Sequence, residues 1–278
     1  VYQGRSIQEA LPILSLIVLI IIRTMPAYIS INTNLNNTKF NSIAFKNTCL
    51  AIIESNQLND KTVFNPDLNQ KPSIKVSNLK YSYENKLVLD DISYEFKSGK
   101  IYGIKGESGS GKTTLLNLIL GLLEPNIGEI YVNNKKLNVN MKLPNNLFNY
   151  VPQDIYLLDT SVSQNIAIGI EEKDIDYKYI NQIIDILELR EFIKNLPGGL
   201  QSFVGDKGIK ISGGQKQRLG IARALYAKPK IMIFDEATNA MDSELEEKII
   251  LRLNSFKENN LIIFVSHNDE LLNNCDEK

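Results

Sequence analysis

The sequence predicts an α/β fold preceded by an apolar helix, and three observations carry that expectation. A glycine-rich turn stands between a short apolar strand, Ile101-Tyr102-Gly103-Ile104, and an apolar helical run, Leu115-Leu116-Asn117-Leu118-Ile119-Leu120. Two wholly apolar runs, Ile231-Met232-Ile233-Phe234 and Leu261-Ile262-Ile263-Phe264-Val265, read as strands buried on both faces, as in a parallel sheet. Ahead of all of these, residues 10–22 are almost uninterrupted apolar sequence.

With 278 residues the chain is long enough for one or two domains with a substantial core. A formal net charge of −1, with no basic run, counts against nucleic acid as a main partner. Cys49 and Cys275 stand far apart and form no metal-ligand spacing, which suits a reducing compartment. His267 is the single histidine, so any imidazole chemistry falls to it. The chain opens at Val1 without Met and stops in a charged tail, and it is expected to be a fragment of a longer polypeptide.

As a helix, residues 10–22 span roughly 20 Å, short of a ~30 Å hydrocarbon core. A secretory signal is one reading, but Gln8 and Glu9 precede the run and no small-residue cleavage site follows it. A buried core helix is another. The preferred reading is a membrane helix, with Arg23 reaching the cytoplasmic interface and Lys39 and Lys46 as a weak positive-inside signal. Ile43, Leu50 and Ile53 fall at loosely helical spacing, although the Asn-rich stretch 32–41 has poor helix propensity. Residues 59–72 are polar, hold Pro66 and Pro72, and read as a linker, with a domain boundary near Ser73.

From Ser73 the alternation of Ile74-Lys75-Val76, of 79–83 and of 87–96, broken at Glu84-Asn85, predicts antiparallel strands. Tyr83 sits near a strand end, where its ring could stack on a purine for roughly 1 kcal/mol; an ordinary sheet aromatic is the competing reading. Then comes Gly106-Glu107-Ser108-Gly109-Ser110-Gly111-Lys112-Thr113-Thr114, a G-x-x-x-x-G-K-[ST] match between strand and helix. Its glycines let backbone N–H groups close on an anion, and the new helix aims its positive end at the same place. Lys112 can reach the β/γ-phosphates of a nucleoside triphosphate, and Thr113 offers a hydroxyl to Mg²⁺.

Phe148-Asn149-Tyr150-Val151 reads as a strand that Pro152 ends, leaving Gln153 exposed with a neutral amide for a metal or a water. Residues 175–196 are helical by pattern, with Ile180, Ile183, Ile184, Leu187 and Leu189 near one face and Pro197-Gly198-Gly199 as the stop. Ser212-Gly213-Gly214-Gln215 opens a second glycine-containing helix with Ser212 as N-cap, again able to hold phosphate oxygens. One triphosphate does not need two such helix ends from one chain, so this one is expected to serve a nucleotide on another copy. The strand 231–234 ends in Asp235, placed to hold Mg²⁺, and Glu236, placed to orient and deprotonate an attacking water. His267 ends the strand 261–265, at the edge where open α/β sheets bind ligands, so a γ-phosphate contact is expected of it.

In that order, these segments resemble the C-terminal part of an ABC transporter half of the exporter type, whose membrane and ATPase domains share one polypeptide. Tyr83 matches the A-loop aromatic, 106–114 the Walker A loop and Gln153 the Q-loop. Ser212 to Gln215 match the signature motif, with Ile211 where Leu is usual. Asp235 and Glu236 match the Walker B aspartate and catalytic glutamate, Ala240-Met241-Asp242 the D-loop, and His267 the switch histidine. Val204-Gly205-Asp206 resembles the exporter X-loop, with Asp206 where Glu is typical. A further likeness, to bacterial flippases of lipid-linked oligosaccharides, rests on 10–26 and 220–226.

The resemblance implies a P-loop NTPase of ABC type, with a mixed sheet core, an antiparallel β subdomain and a helical signature subdomain. Residues 1–58 would be the last membrane helix and cytoplasmic extension of a membrane domain, 59–72 a linker, and 73–278 the nucleotide-binding domain. It implies Mg²⁺ and ATP sandwiched head to tail between this chain and a second half-transporter, with Asp242 near that site. The protein would lie in the cell (inner) membrane, in contact with the lipid bilayer, with its ATPase domain cytoplasmic and a lipid-linked saccharide among its candidate cargoes. Three rivals stand beside this: an importer's separate ATP-binding subunit, a non-transport ABC ATPase on DNA or ribosomes, and a regulatory nucleotide sensor. The apolar run 10–22 on the same chain counts against the first, and the neutral charge against the second. Glu236 and His267, both present, count against the third.

Overall fold

The computed structural model describes residues 7–59, 62–84, 86–107, 109–139, 141–205 and 211–278. The chain divides into two compact units, Val1–Lys61 and Thr62–Lys278. Ser108 and Asp206, singled out above, lie outside the described residues.

The described residues of the first unit form one helix, α1 (Ile7–Asn59), of 53 residues and therefore roughly 80 Å long. The helix does not stop with the apolar run at Ile22 but continues through the Asn-rich stretch. Several polar side chains there bond to their own backbone instead of breaking it: Thr33 Oγ1 donates to Ile29 O at 2.8 Å and Thr38 Oγ1 to Asn34 O at 2.8 Å. The segment Pro12–Leu50 is long and apolar enough to cross a membrane, and Ile13, Leu16, Leu19 and Ile22 all stand exposed on it.

The second unit starts earlier than composition indicates. Residues 62–72 are not a free linker: Phe64 is fully buried, and its N–H donates to Lys142 O at 2.9 Å. One large aromatic among polar neighbours is enough to anchor the segment, since burying it is worth about 2 kcal/mol. The chain then makes β1 (Ser73–Tyr83), β2 (Lys86–Lys97), β3 (Ile101–Ile104) and α2 (Lys112–Ile119). Next come β4 (Ile127–Val132) and β5 (Lys135–Lys136). An antiparallel sheet runs β2-β1-β4-β5, as the alternation of 74–96 predicts.

Beyond it follow β6 (Phe148–Val151), β7 (Thr160–Ser161) and α3 (Val162–Ile166). The run 175–196 folds as two helices, α4 (Tyr177–Ile186) and α5 (Arg190–Lys194). Glu188 between them takes φ 51°, a left-handed turn that no continuous helix allows, while Ile180, Ile183, Ile184, Leu187 and Leu189 are all buried as the periodicity requires. Then come β8 (Phe203–Val204), α6 (Gly213–Tyr226), β9 (Ile231–Asp235), α7 (Ser243–Leu253), β10 (Leu261–Val265) and α8 (Asp269–Asn273).

The central sheet runs β3-β10-β9-β6 and all three of its pairings are parallel. Every residue of β9 and β10 is buried, and the Phe234 and Phe264 rings stack at 4.6 Å between them. Because the strands are parallel, all four deliver their C-terminal ends to one edge: the glycine loop from β3, Gln153 after β6, Asp235 and Glu236 from β9, His267 after β10. That edge is where the fold puts its chemistry.

Candidate functional site

The glycine loop is built around an open helix end. Gly111 caps α2 with φ 94° and provides no side-chain cap, so the first N–H groups of the helix face outward without an internal acceptor. A Cβ at Gly111 would stand 3.0 Å from Val88 Cγ1 and 3.0 Å from Leu89 Cδ2, in a conformation side chains rarely adopt. Lys112 turns back into the loop, where Nζ donates to Gly106 O at 2.7 Å and to Glu107 O at 2.8 Å. The loop thus holds an ammonium group in a ring of backbone amides, a setting suited to phosphate oxygens.

A cleft of about 710 Å³ opens over this loop. Tyr83, Gly109 to Thr114, Gln153, Glu236 and His267 line it together, so five separate stretches of sequence converge there. Tyr83 is 48% exposed and meets Tyr81 edge-on at 5.0 Å, leaving its own ring available to the cleft.

Glu236 has φ 51°, an uncommon backbone state for a non-glycine residue that costs on the order of 1–3 kcal/mol. Its N–H donates to Val265 O at 2.9 Å, which ties the residue to β10. Its Oε1 lies 3.0 Å from His267 Nε2, and its Oε2 accepts from Asn239 Nδ2 at 3.1 Å. The carboxylate is therefore oriented from two sides before any ligand arrives.

Asp235 sits deeper, 8% exposed, with Oδ2 accepting a 2.8 Å hydrogen bond from the Tyr150 hydroxyl. Burial pushes its carboxyl up and the Glu236 charge adds to this, while the Tyr150 bond, Lys112 and His267 oppose it. The Tyr150 phenol is pushed up as well, first by burial and then by its bond to Asp235. Thr113, Gln153 and Asp235 offer a hydroxyl, an amide and a carboxylate, all hard oxygen donors of the kind Mg²⁺ takes. Among the described residues no cluster of three or more His, Cys, Asp or Glu occurs.

Ser212 to Gln215 and Asp242 do not line the cleft. Ser212 caps α6 in a reciprocal pair with Gln215: Gln215 N–H donates to Ser212 Oγ at 3.2 Å and Ser212 N–H to Gln215 Oε1 at 2.9 Å. The two glycines press on the turn after Glu236. A Cβ at Gly214 would stand 2.8 Å from Ala240 O, and Gln217 Oε1 accepts from Ala240 N–H at 2.8 Å. Asp242 caps α7 by accepting from Leu245 N–H at 3.0 Å. The start of α6 and the turn to α7 therefore form one exposed surface apart from the cleft. Tyr150 and Gln217 escaped the sequence reading, because each acts through a contact between elements that no spacing reveals; Asn239, three residues after Glu236 in the same turn, escaped it too.

Residues 89–239, more than half the chain, match the family described as ABC transporter. The chain belongs to the ABC transporter family. Relatives within it include an export ATP-binding/permease protein of Rickettsia typhi, 35% identical over 76% of this chain and 37% of that protein. Another is an ATP-dependent lipid A-core flippase of Ralstonia nicotianae, 34% identical over 71% of this chain and 34% of that one. The solved structure of a bacterial Atm1-family ABC exporter with ATP bound is similar at a TM-score of 0.69 and 28% identity, covering 78% of this chain and 38% of that one. The chain thus spans a little over a third of the length of the ABC relatives it matches. Its second unit is an ABC-type nucleotide-binding domain, with the parallel and antiparallel sheets that the sequence predicts.

Proposed function

We propose that this chain is the ATP-binding and hydrolysing part of an ABC exporter. The observation that carries the reading is the single cleft joining the glycine loop, Gln153, Glu236 and His267 beneath Tyr83. Lys112 and the N–H groups at the start of α2 bind the β- and γ-phosphates, and Tyr83 stacks on the adenine. Thr113, Gln153 and Asp235 would hold Mg²⁺, which would supply positive charge to offset the phosphate oxygens. Glu236 accepts a proton from the water whose oxygen bonds to the γ-phosphorus as the bond to the ADP oxygen breaks. His267, 3.0 Å from Glu236, keeps that carboxylate aimed and contacts the γ-phosphate.

The placement of Ser212, Gly213 and Asp242, exposed, with Gly214 and Gln215 half-buried beside them, all outside this chain's own cleft, supports a two-chain site. Two half-transporters close head to tail, and each signature helix covers the other's ATP. Contacts to the γ-phosphate favour the closed pair and hydrolysis removes them, which is the differential affinity a two-state pump needs. The long apolar α1 on the same chain supports an exporter half in the inner membrane over a separate importer subunit, with the ATPase unit on the cytoplasmic side. The names of two relatives as lipid A-core flippases support a lipid-linked saccharide as cargo class.

Glu236→Gln keeps the shape of the side chain and removes the base. Steady-state ATP hydrolysis by the variant is expected to fall by on the order of 10²–10⁴, with ATP binding retained. Turnover near the wild-type rate would remove Glu236 from the mechanism.

A further inference from the structure

The strand that leads into Gln153 carries a second group at the site. Tyr150 pairs with Ile233 in the register of β6 on β9, and Asp235 lies two residues beyond Ile233 on the same face. That register is what lets the Tyr150 hydroxyl span the strands and donate to Asp235 Oδ2 at 2.8 Å. The phenol cannot swing away easily, because its ring packs against the buried cluster beneath α2. The acceptor is equally confined, being the last residue of a strand buried along its whole length. A carboxylate on two rotatable bonds is thereby held, with Oδ2 committed to Tyr150 and Oδ1 the oxygen that this bond leaves over.

We infer that Tyr150 is the positioning residue of the metal site: by holding Asp235 Oδ2 it presents Oδ1 to the cation in one orientation. This rests on the reading of Asp235 as a Mg²⁺ ligand. Tyr150 touches neither nucleotide nor metal, and acts only through the carboxylate. Because Tyr150 and Gln153 belong to one strand end, the same element sets the angle of one ligand and carries another. Partners behind a metal ligand commonly account for 10–100-fold in metal affinity, by fixing the ligand's direction.

The test uses the full chain and Tyr150→Phe, which deletes one oxygen and keeps the ring. Mn²⁺ serves as probe, titrated in the presence of a non-hydrolysable ATP analogue and followed by its electron paramagnetic resonance signal. Binding of the analogue in EDTA is measured alongside. Tyr150→Phe is expected to weaken Mn²⁺ binding about tenfold while leaving metal-free nucleotide binding unchanged. Tyr150→His, which restores a ring donor, is expected to recover part of the loss. Unchanged Mn²⁺ binding in Tyr150→Phe would overturn the proposal and leave the residue a packing aromatic. Loss of nucleotide binding in EDTA would also overturn it, by showing that the hydroxyl holds the fold. Asp235→Asn separates this from the parent reading: if it too leaves Mn²⁺ binding intact, the assignment of Asp235 as ligand fails; if it abolishes binding while Tyr150→Phe does not, only the role of Tyr150 fails.

Discussion

At the scale of single residues, a carboxyl outside the cleft that burial disfavours is Glu246 on α7, only 3% exposed. It accepts from Asn268 Nδ2 at 2.8 Å and from the Thr238 hydroxyl, and so ties α7 to the turns after β9 and β10. Burial raises its pKa above the ordinary 4.5, and the Thr238 and Asn268 bonds only partly offset this. The folded state therefore holds the proton more tightly than the unfolded one. Stability drawn from this group is full at acid pH and declines as pH climbs from 4.5 through the raised folded value. Glu246→Gln, which keeps an acceptor and loses the charge, is expected to flatten that part of the profile and to melt above wild type at neutral pH. Thermal melts from pH 4 to pH 8 in roughly one-unit steps check it; an unchanged slope would place the charge elsewhere. Residue placements were legible in the sequence where spacing carries them, as in Lys112 at the helix start or Glu236 after an apolar strand. Tyr150 and Glu246 were not, because their partners depend on register and on helix placement.

At the scale of elements, α6 is set by its glycines. A Cβ at Gly220 would stand 2.6 Å from Ile155 Cδ1 and 2.8 Å from Cγ1, so the helix lies against the segment after Gln153 with no room to spare. Alanine is the better helix former by about 1 kcal/mol, but overpacking typically costs 1–3 kcal/mol, and here the clash wins. Gly220→Ala is expected to lower the melting temperature. Adding Ile155→Val, which deletes Cδ1, should restore part of it, and additive losses in the double variant would refute the contact. Element boundaries were the less readable part of this chain. The apolar face of 175–196 was visible, but the left-handed Glu188 that splits it carries no mark in a residue type that is usually a good helix former. In 32–41 the reverse holds: poor helix formers stay helical, with Thr33 and Thr38 satisfying their hydroxyls on the preceding turn. For 62–72, prolines and Asn read as a linker, whereas Phe64, Pro66 and Pro72 are all buried in the structure.

At the scale of the molecule, the two-chain site makes a prediction that a one-chain site does not. A chain with Lys112→Ala cannot hold its own nucleotide, and a chain with Ser212→Arg cannot cover its partner's. Each variant alone is expected to be inactive as a pair of identical copies. In a mixture, one of the two sites combines an intact glycine loop with an intact signature helix, so ATPase activity is expected to return on mixing. A mixture as inactive as its parents would argue for a site complete within one chain. In the sequence this proposal rests on the order of motifs, since a second phosphate-binding helix end has no evident use on its own copy. Exposed Ser212 and Gly213, set apart from the cleft, bear on the same point.

The inward-turned Lys112 has a consequence for how tightly a nucleotide is held. Its ammonium already has two good acceptors, Gly106 O and Glu107 O. An arriving phosphate does not gain a free cation; it takes one over from the backbone in an exchange of acceptors. Only the difference between the two sets of bonds counts toward affinity, and the vacated carbonyls must find water or another donor. The same exchange runs in reverse when the phosphate leaves, so the loop does not have to face an unpartnered charge at release. For a machine that must empty its site on every cycle, a lysine with somewhere to return to matters as much as one that can reach out.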